Sequence, residues 1–414
     1  MTGTAPAPRA PGEAPGPPSV LVVGAGWMFT SGISYYTCRL ANALSTRATT
    51  SALLMRRLVP RALYPGRARV GTRVNDLDYV PEVDVLDGLD WFWGASALRA
   101  ARFVGRRSPD VVVLQWWTGA VLHSYVMLAL LARRRGARVV MEWHEVQDTG
   151  EARIPGVARY VRFAMKALLR MVDAHVVHSE YDLDLLVRAY HLDRADATLV
   201  AHGPYDHVGT GPAAPAGEIP SPGEGSRTST VEDPFTLLYF GVIRPYKGVE
   251  DLVAAFEGLP DEVGRRVRLL VVGETWEGWT APLEAIGRSP VRDRIDVVNR
   301  YVTDAEVSEV FARADGVVLP YRRSSSSGPL HIAMSSGLPV VVSAVGGLVE
   351  AAGDYEGVRF APPGDVDALR SALVELVDRR GERYADPHSW SRTVERYGRV
   401  LTSVGVSSWD QGPA

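Results

Sequence analysis

The amino-acid sequence predicts an α/β protein with two Rossmann-like, doubly wound parallel-sheet domains that face a cleft. Short apolar runs such as SVLVVG and DVVVLQ alternate with longer helical patterns, which is typical of parallel sheets. One stretch rich in Gly, Pro, Ser and Thr, residues 209–233, interrupts this alternation, which then restarts. A chain of 414 residues is also long enough for two or three domains, each with its own core.

The domain boundaries follow from the same patterns. We predict a disordered tail over residues 1–18, which are rich in Pro, Ala and Gly and lack the apolar core of a signal peptide. The first domain covers residues 19–208, the flexible linker residues 209–233 and the second domain residues 234–385. Residues 386–414 contain a final amphipathic pattern, which predicts a helix that packs across both domains, followed by a tail.

The elements within each domain follow from the spacing of apolar residues. In the first domain we predict strands at residues 19–24, 50–55, 110–115, 137–143, 174–178 and 198–201, and helices at 34–44, 121–133, 157–171 and 181–190. Residues 56–90 are rich in Arg, Pro and Gly and predict a strand with long loops. In the second domain we predict strands at 235–240, 268–272, 295–298, 316–319 and 339–342, and helices at 249–257, 304–314, 329–336 and 366–378.

Composition and charge exclude several classes of function. The net charge of −3 supplies no positive field for binding nucleic acid. A single cysteine, Cys38, excludes an intramolecular disulfide framework and fits the reducing cytoplasm. No stretch reaches the roughly 18 apolar residues of a membrane span. Residues 120–132, which precede three arginines, predict either a core helix or a helix in peripheral contact with an anionic membrane.

The segment LLYFGVIRPYKGVEDL is the most informative stretch of the chain. A buried strand ends at Gly241, a helix begins after Gly248, and two cations, Arg244 and Lys247, lie between them. This order of elements places both cations at the carboxyl edge of a sheet, where open α/β folds bind ligands. The planar fork of arginine and the point charge of lysine suit a diphosphate. On these residues alone, a solvated basic loop is an equally good interpretation.

Two further strand-end loops strengthen the binding interpretation. In LPYRRSSSSGPL, Pro329 occupies the favoured first position of a helix, Ser327 is its predicted N-cap, and the amides around Gly328 form an anion site. In SAVGGLVE, two consecutive glycines allow a ligand to approach the backbone. A simple capped loop is the alternative for the first of these. Three such loops in one domain predict a nucleotide site.

The first strand is followed by Gly24-Ala25-Gly26, but this is not a dinucleotide-binding motif. Phe29 occupies the third glycine position, and no carboxylate follows the second strand to bind a ribose. Gly32 remains as a small residue at a helix N-terminus. It is either a point of close approach for a substrate or part of a plain tight turn.

A candidate reacting centre follows the strand ARVVMEW. His144, Glu145 and Asp148 are titratable side chains at the carboxyl end of a central strand, which fits acid–base chemistry. His178 ends another strand and is interpreted as a packed residue, whereas His202 is a weaker candidate for the cleft. The histidine spacing fits no zinc pattern, so we predict no metal.

Tryptophans cluster at the strand ends of the first half. Trp27, Trp116 and Trp117 have flat faces that stack on sugar rings or aromatic acceptors, so they are candidate acceptor-binding residues together with Glu145. Core packing is the competing account. Because Trp116 and Trp117 are adjacent in a strand, they cannot both point inward, and at least one is expected to face the cleft.

Taken together, the segments GVIRPYKGVEDL, LLVVGE, NRYVTDAEVSEVFARADGVVLPY and GLPVVVSAVGGLVE resemble the donor half of a GT-B glycosyltransferase, most nearly of the retaining family 4. SGISYYTCRLANAL, WHE and VVHSEYDLDLL resemble segments of its acceptor half. This resemblance implies that Arg244 and Lys247 hold the donor diphosphate, that Gly32 lies beneath the transferred group and that His144 lies beside the sugar. It also implies a base contact at residues 300–302 and neither a metal nor a cofactor, only a nucleotide-sugar co-substrate linked to UDP or GDP. The full set of implied donor-binding residues is Gly32, Gly241, Arg244, Lys247, Gly273, Tyr301, Val302, Ser327, Gly328, Pro329 and Glu350.

One departure from the family pattern bears on the donor. Most members carry two glutamates with seven residues between them before G-x-P-V-V, but this chain has Ser324 and Ile332 at those positions. A subset of bacterial relatives carries Ser-Gly in this loop, which residues 327–328 match. The ribose contact of the second glutamate therefore does not transfer. Glu350 or His331 is a partial substitute, and we expect an altered donor preference.

The resemblance implies a retaining glycosyltransferase that moves a sugar from a nucleotide diphosphate to a hydroxyl of a small molecule, a lipid carrier or a glycan. A catalytically silent relative that binds nucleotide or a partner enzyme is the main alternative, since the paired glutamates are missing. Another GT-B enzyme, such as a sugar-nucleotide epimerase, is the third. The presence of Arg244, Lys247 and His144 together favours the first.

Overall fold

The structure is a computed structural model that describes residues 16–28, 32–57, 77–146, 157–206, 233–276, 278–406 and 409. Most of the predicted linker and most of the predicted N-terminal tail lie outside these residues, as does Asp148. The chain divides into two compact units. The N-terminal unit comprises Met1–Gly203 and Trp390–Ala414, and the C-terminal unit comprises Pro204–Ser389.

The N-terminal unit contains a seven-stranded sheet in the order β3-β2-β1-β4-β5-β6-β7, with all pairs parallel. Its strands are β1 (Ser19–Ala25), β2 (Thr49–Arg57), β3 (Asp84–Asp90), β4 (Val111–Trp116), β5 (Arg138–Trp143), β6 (Ala174–Val177) and β7 (Ala197–Leu199). Its helices before β7 are α1 (Gly32–Leu44), α2 (Ala95–Arg107), α3 (Leu122–Arg133), α4 (Val157–Leu169) and α5 (Glu180–Tyr190).

The central strands of this sheet are apolar throughout because both of their faces are covered. In β1, Leu21 and Val23 belong to one core cluster, and Val20 and Val22 belong to the cluster on the opposite face. All four side chains are fully buried. A strand with two buried faces has a continuous apolar run in place of an alternating one, which explains the SVLVVG pattern.

The C-terminal unit contains a six-stranded parallel sheet in the order β10-β9-β8-β11-β12-β13. Its strands are β8 (Phe235–Phe240), β9 (Val267–Val272), β10 (Ile295–Val298), β11 (Gly316–Leu319), β12 (Val340–Ser343) and β13 (Val358–Ala361). Its helices are α6 (Val249–Glu257), α7 (Asp261–Gly264), α8 (Ala281–Arg288), α9 (Asp304–Arg313), α10 (Gly328–Ser335), α11 (Gly347–Ala352) and α12 (Val366–Val377).

The last helix, α13 (Trp390–Ser403), belongs to the N-terminal unit. Its buried face includes Val394, Tyr397 and Leu401, which pack in the same core cluster as Tyr36 and Leu40 of α1. These are the apolar positions of the amphipathic pattern seen in the sequence. The α13 helix therefore packs against α1, on the same face of the N-terminal sheet.

Both parallel sheets confirm the predicted fold class, and the predicted strand and helix ends differ from the observed ones by no more than two residues. Five elements were not predicted: α2, α7, α8, α11 and β13. The α2 sequence, ASALRAARFVGRR, is rich in arginine and buries only four residues, so it has few apolar residues to identify it. The edge strand β13 is short and largely exposed, which removes the apolar run that identifies a buried strand.

The order of the strands defines where ligands bind in such sheets. The direction of winding reverses between β1 and β4 in the N-terminal unit and between β8 and β11 in the C-terminal unit. Parallel α/β sheets bind ligands beyond the carboxyl ends of the strands at such reversals. The loops after these strands, and after their neighbours β5 and β12, are therefore the candidate binding segments of each unit.

Candidate functional site

The loop between β8 and α6 carries the two predicted phosphate-binding cations. Gly248 caps α6 with a φ of 64°, and a Cβ on this residue would lie 2.0 Å from the carbonyl oxygen of Pro320. The amide of Arg322 donates to the carbonyl of Tyr246 at 2.8 Å. The glycine is therefore required both for the left-handed turn and for close packing against the loop that follows β11.

Aromatic rings hold both cations of this loop. The guanidinium carbon of Arg244 lies 4.5 Å from the ring centroid of Trp276, and Nζ of Lys247 lies 3.5 Å from that of Tyr321. Tyr321 is fully buried. A cation over an aromatic face gains about 0.5–2 kcal/mol. These contacts give the two side chains defined directions at the edge of the sheet.

The loop between β11 and α10 has the predicted N-terminal cap. The hydroxyl of Ser327 accepts from the amide of Leu330 at 3.3 Å, and Pro329 lies in the first turn of the helix. The loops are joined further, because the amide of Gly347, after β12, donates to the carbonyl of Ser324 at 3.3 Å. Within the C-terminal unit, the cations of one loop and the helix N-terminus of another thus belong to adjacent strand ends.

The remaining predicted donor-binding residues lie in several environments. Gly273 has a φ of 154°, and a Cβ on it would lie 1.9 Å from the carbonyl oxygen of Gly241, so close backbone contact between two loops requires a glycine there. Gly241 has a φ of 132°, a conformation that favours glycine. Val302 is 5% exposed, whereas Glu350 is exposed on α11. Tyr301 is half-buried, and its carbonyl accepts from the neighbouring Arg300 at 3.0 Å.

The two positions that lack the family's glutamates are both structured. The hydroxyl of Ser324 donates to the carbonyl of Ser326 at 2.7 Å, which shapes the loop. Ile332 lies on α10 and is 7% exposed. His331, the neighbouring residue, is buried and stacks on Tyr205 with a centroid distance of 6.0 Å.

In the N-terminal unit, a buried polar cluster lies at the end of β5. Glu142 is fully buried, and its carboxylate accepts from the Tyr36 hydroxyl at 2.6 Å and from the Gln115 side-chain amide at 3.2 Å. Gln115 in turn accepts from the hydroxyl of Thr37. Glu142 and Gln115 are partners in the register of β4 and β5, which explains how two strand residues so distant in sequence meet.

His144 follows β5 directly and is part of this cluster. Its amide donates to the carbonyl of Trp116 at 2.9 Å. Its Nδ1 lies 3.2 Å from Nε2 of His178, and its Nε2 lies 3.8 Å from Oε2 of Glu142. Nδ1 of His144 is thus at hydrogen-bonding distance from His178, whereas its buried Nε2 is near the carboxylate but beyond hydrogen-bonding distance of it.

The environment shifts the pKa of two members of the cluster. Burial by itself would raise the pKa of Glu142, but His144, His178 and the Tyr36 hydroxyl outweigh it and lower that pKa to about 2. Burial lowers the pKa of His144, against the opposing effect of Glu142. Glu142 is thus an anion and His144 favours its neutral form.

The same three side chains are a place where a metal ion could be considered. Glu142, His144 and His178 each offer one ligand atom, and these atoms lie within 4.8 Å of one another. The two histidines, however, face each other with Nδ1 and Nε2 at hydrogen-bonding distance. That arrangement is typical of two rings that share a proton. The absence of a metal stays a prediction.

The structure distributes the predicted acceptor-binding residues differently. Trp116 is 2% exposed and packs on Trp143 in the core, at a centroid distance of 5.9 Å, so core packing accounts for it. Trp117 and Trp27 are half-buried, and Glu145 is exposed after β5. Gly32 is the first residue of α1, as expected for a helix N-terminus.

Comparison with known proteins identifies the family. The model for glycosyl transferases group 1 matches residues 234–379, and the model for the glycosyl transferase 4-like domain matches residues 31–203. Together they cover most of the chain. The chain belongs to the group 1 glycosyltransferases.

Two relatives of this glycosyltransferase differ in how much of the chain they match. A D-inositol 3-phosphate glycosyltransferase of Actinosynnema mirum is 26% identical over 398 residues, 88% of this chain and 90% of the relative. An O-antigen chain mannosyltransferase B of Escherichia coli is 30% identical over 175 residues, 39% of this chain and 45% of the relative. The chain thus matches less than half of the latter's length.

A solved structure shows the fold of the glycosyltransferase. Anabaena HepE, crystallised in complex with UDP, matches with a TM-score of 0.58 and 13% identity, and covers 95% of this chain and 97% of its own. Two parallel-sheet units of this kind constitute the GT-B fold, which confirms the fold predicted from the sequence.

Several residues of the glycosyltransferase's candidate sites were missed from the sequence. Glu142 lies in the otherwise apolar segment VVMEW. Because a charged residue in a buried strand needs a polar partner, this position alone could have predicted a buried polar cluster. The interpretation of His178 as a packed residue omits its contact with His144. Local sequence does not show that the rings of Trp276 and Tyr321 lie beneath Arg244 and Lys247, so these two partners could not be predicted from it.

Proposed function

We propose that this glycosyltransferase is a retaining enzyme that transfers a sugar from a nucleotide diphosphate to a hydroxyl of a small molecule, a lipid carrier or a glycan. The observation that carries the proposal is the position of Arg244 and Lys247, held by aromatic rings at the strand-order reversal of the C-terminal unit. Two ordered cations next to a capped helix N-terminus are suited to a diphosphate.

The proposed reaction exchanges one glycosidic bond for another on the same face of the sugar. The bond between the anomeric carbon and the diphosphate oxygen breaks, and the acceptor oxygen forms the new bond. The acceptor's proton leaves with the diphosphate. Arg244 and Lys247 stabilise the negative charge that develops on that leaving group, which is the kind of electrostatic contribution that lowers such a barrier most.

The donor is proposed to be a UDP- or GDP-linked sugar. HepE was crystallised with UDP, and the relatives include a mannosyltransferase and inositol phosphate glycosyltransferases, which supports a sugar-nucleotide donor without selecting the base. Because Ser324 and Ile332 replace the family's glutamates, we propose that the ribose is bound less tightly than in most relatives and that donor preference is altered.

Donor profiling tests this function. The protein is incubated with a panel of UDP-, GDP- and ADP-linked sugars, with and without a mixture of acceptors, and mass spectrometry measures the released nucleotide diphosphate and any glycoside. We expect release from one donor family. Nucleotide binding without transfer or hydrolysis of any donor would instead support the catalytically silent relative, which the absent glutamates favour. Exchange of one donor into its epimer would support the epimerase.

We further propose a peripheral membrane contact on the N-terminal unit, at a place other than the one the sequence indicated. The α3 helix is a core helix, in which Leu122, Tyr125 and Leu128 are buried. None of the helices in the described part of the chain is both long and apolar enough to span a bilayer. On the neighbouring α4, however, Phe163 is 78% exposed and Tyr160 is 46% exposed.

The charges of the helices around Phe163 support the same surface as the membrane contact. The three adjacent helices α2, α3 and α4 contain no Asp or Glu, whereas they carry Arg99, Arg102, Arg106, Arg107, Arg133, Arg159, Arg162 and Lys166. Exposed aromatic rings beside basic side chains are typical of a helix at an anionic membrane surface. Cosedimentation with vesicles tests the contact. Phe163→Ser should weaken binding to vesicles of anionic lipid, and Phe360→Ser, in the C-terminal unit, should leave it unchanged.

A further inference from the structure

Three consecutive aromatic side chains are exposed on the loop of the N-terminal unit between β3 and α2. Phe92 is 61% exposed, Trp91 is 37% exposed and Trp93 is 36% exposed. Rings of this size are usually covered in a folded unit, so three exposed rings on one loop indicate a binding surface. The loop follows β3 directly, which places it at the same edge of the parallel sheet as the loops after β1, β4 and β5.

The backbone of this loop is strained and is held by hydrogen bonds. Trp93 has a φ of 61°, in the left-handed region that a bulky side chain rarely adopts. Its amide donates to the carbonyl of Asp90 at 3.0 Å, and its carbonyl accepts from the amide of Ser96 at 3.0 Å. The hydroxyl of Ser96 in turn accepts from the amide of Asp90 at 3.1 Å. Strained residues that their surroundings hold in this way are concentrated at functional sites.

The two tryptophan rings are fixed on the first turn of α3. The indole N–H of Trp93 donates to the hydroxyl of Ser124 at 3.0 Å. The ring of His123 lies 5.4 Å from the ring centroids of both Trp91 and Trp93, and its Nε2 is 2.6 Å from the carbonyl oxygen of Trp91. Because a carbonyl oxygen only accepts, Nε2 is the donor, and Nδ1 of His123 has no hydrogen-bond partner among the residues that the structure describes. The loop thus combines fixed aromatic rings with a polar atom beside them.

The chemistry of this loop favours a sugar ring over a lipid surface. The C–H bonds on one face of a pyranose pack on an aromatic ring, while its hydroxyls bond to polar atoms next to that ring. Rings that are already fixed lose little conformational entropy when such a ligand binds. Residues 84–98 contain three aspartates and neither Lys nor Arg, so this segment supplies no cation to attract an anionic membrane. In this respect it differs from the basic surface around Phe163.

We propose that Trp91, Phe92 and Trp93 form a saccharide subsite, which binds a pyranose of the acceptor at a distance from the hydroxyl that reacts. In the sheet, β3 is four strand positions from β5, the strand that precedes His144, and this corresponds to roughly 19 Å. A single sugar does not span that distance, so the acceptor is an extended glycan, either free or as the head of a glycolipid. The inference rests on the proposed function in one respect, namely that transfer takes place beside His144.

Titration of the full-length protein with trisaccharides, in the absence of any donor, tests the subsite. Maltotriose, cellotriose and mannotriose are added in turn, and NMR records the indole N–H resonances of the tryptophans. The spectra of Trp91→Phe and Trp93→Phe assign the resonances of these two residues. We expect at least one trisaccharide to shift both resonances in a saturable manner. If none of the three shifts them, the proposal is overturned.

Variants of Phe92 separate stacking on a flat ring from general apolar contact. Because this side chain is mostly exposed, its replacement should leave the fold intact. Phe92→Leu keeps an apolar side chain but removes the ring, so it should raise the dissociation constant of the bound trisaccharide about 3- to 10-fold. Phe92→Tyr keeps the ring and should bind as the unmodified protein does, as should Phe360→Leu, a matched change at an exposed ring of the C-terminal unit. Unchanged affinity in Phe92→Leu would refute stacking on this ring.

Cosedimentation with vesicles of phosphatidylcholine and phosphatidylglycerol tests the alternative of a membrane anchor. Phe92→Ser should bind these vesicles as the unmodified protein does, and loss of vesicle binding in this variant would overturn the subsite in favour of an anchor. Vesicles that also carry the bound trisaccharide on a lipid distinguish the two sources of the glycan, since tighter binding than to the free trisaccharide supports a glycolipid and equal binding supports a free glycan. None of these measurements needs a donor. Saccharide binding without sugar transfer would therefore contradict the proposed function alone, and transfer by a protein that binds no trisaccharide would contradict the subsite alone.

Discussion

Replacement of Lys247 is the sharpest test of the donor site. Its Nζ lies 3.5 Å from the Tyr321 ring and 5.2 Å from the Tyr246 ring, so the ammonium is already oriented before a ligand binds. A charge-assisted hydrogen bond to phosphate contributes about 1.5–3 kcal/mol. We therefore expect Lys247→Ala to raise the dissociation constant of the bound nucleoside diphosphate about 10- to 150-fold.

Two further variants separate the phosphate contact from other effects. Lys247→Met keeps the stem over Tyr321 and removes only the charge, so it should lose as much affinity as the alanine variant. Arg323→Ala is a matched control in the neighbouring loop, where its guanidinium lies 4.9 Å from the Tyr246 ring. It should change the dissociation constant little, because it removes a charge without removing the proposed contact.

Isothermal titration of UDP and GDP measures these constants, with the corresponding nucleosides as a check. Nucleoside binding should be similar in all variants, since it lacks the diphosphate. Unchanged diphosphate affinity in a folded Lys247→Met protein would refute the assignment of this lysine. An equal loss in Arg323→Ala would show that a general positive field, and not a specific contact, attracts the ligand.

Three other outcomes are expected. Gly273→Ala should destabilise the protein by about 1–3 kcal/mol, because the φ of Gly273 is 154° and a Cβ would lie 1.9 Å from a backbone carbonyl oxygen. Gly287 lies in a helix with open space around it, so Gly287→Ala should be neutral or stabilising. Thermal unfolding measures both variants. Trp276→Leu should weaken diphosphate binding about 2- to 30-fold by titration, since it removes the ring under Arg244, and Trp276→Phe should weaken it less. The pKa of Glu142 is lowered from 4.5 to about 2, so its ionised form contributes about 3 kcal/mol of stability above pH 4.5, and this contribution is lost as the pH falls from 4.5 to 2. The difference in melting temperature between the unmodified protein and Glu142→Gln should therefore shrink as the pH falls over that interval. A difference that stays constant would contradict the shift.

The sequence by itself determined the fold class and most of the elements. A strand buried on both faces must be apolar at every position, so runs such as FTLLYF identify strands wherever they occur. Parallel strands joined by helices place every strand-to-helix loop at one edge, so the position of Arg244, Lys247 and Ser327 at that edge follows from local pattern alone. Elements with few buried apolar residues, such as α2 and β13, could not be identified in this way.

Only the tertiary structure decided which of these residues touch one another. Glu142 is paired with Val176 across β5 and β6, and this register carries His144 and His178, two residues beyond each, to the same position. Sheet order and register depend on contacts between residues far apart in the chain, which local spacing does not encode. For the same reason the partners of the two cations, and the burial of Trp116 in the core, emerged only once the sheets were assembled.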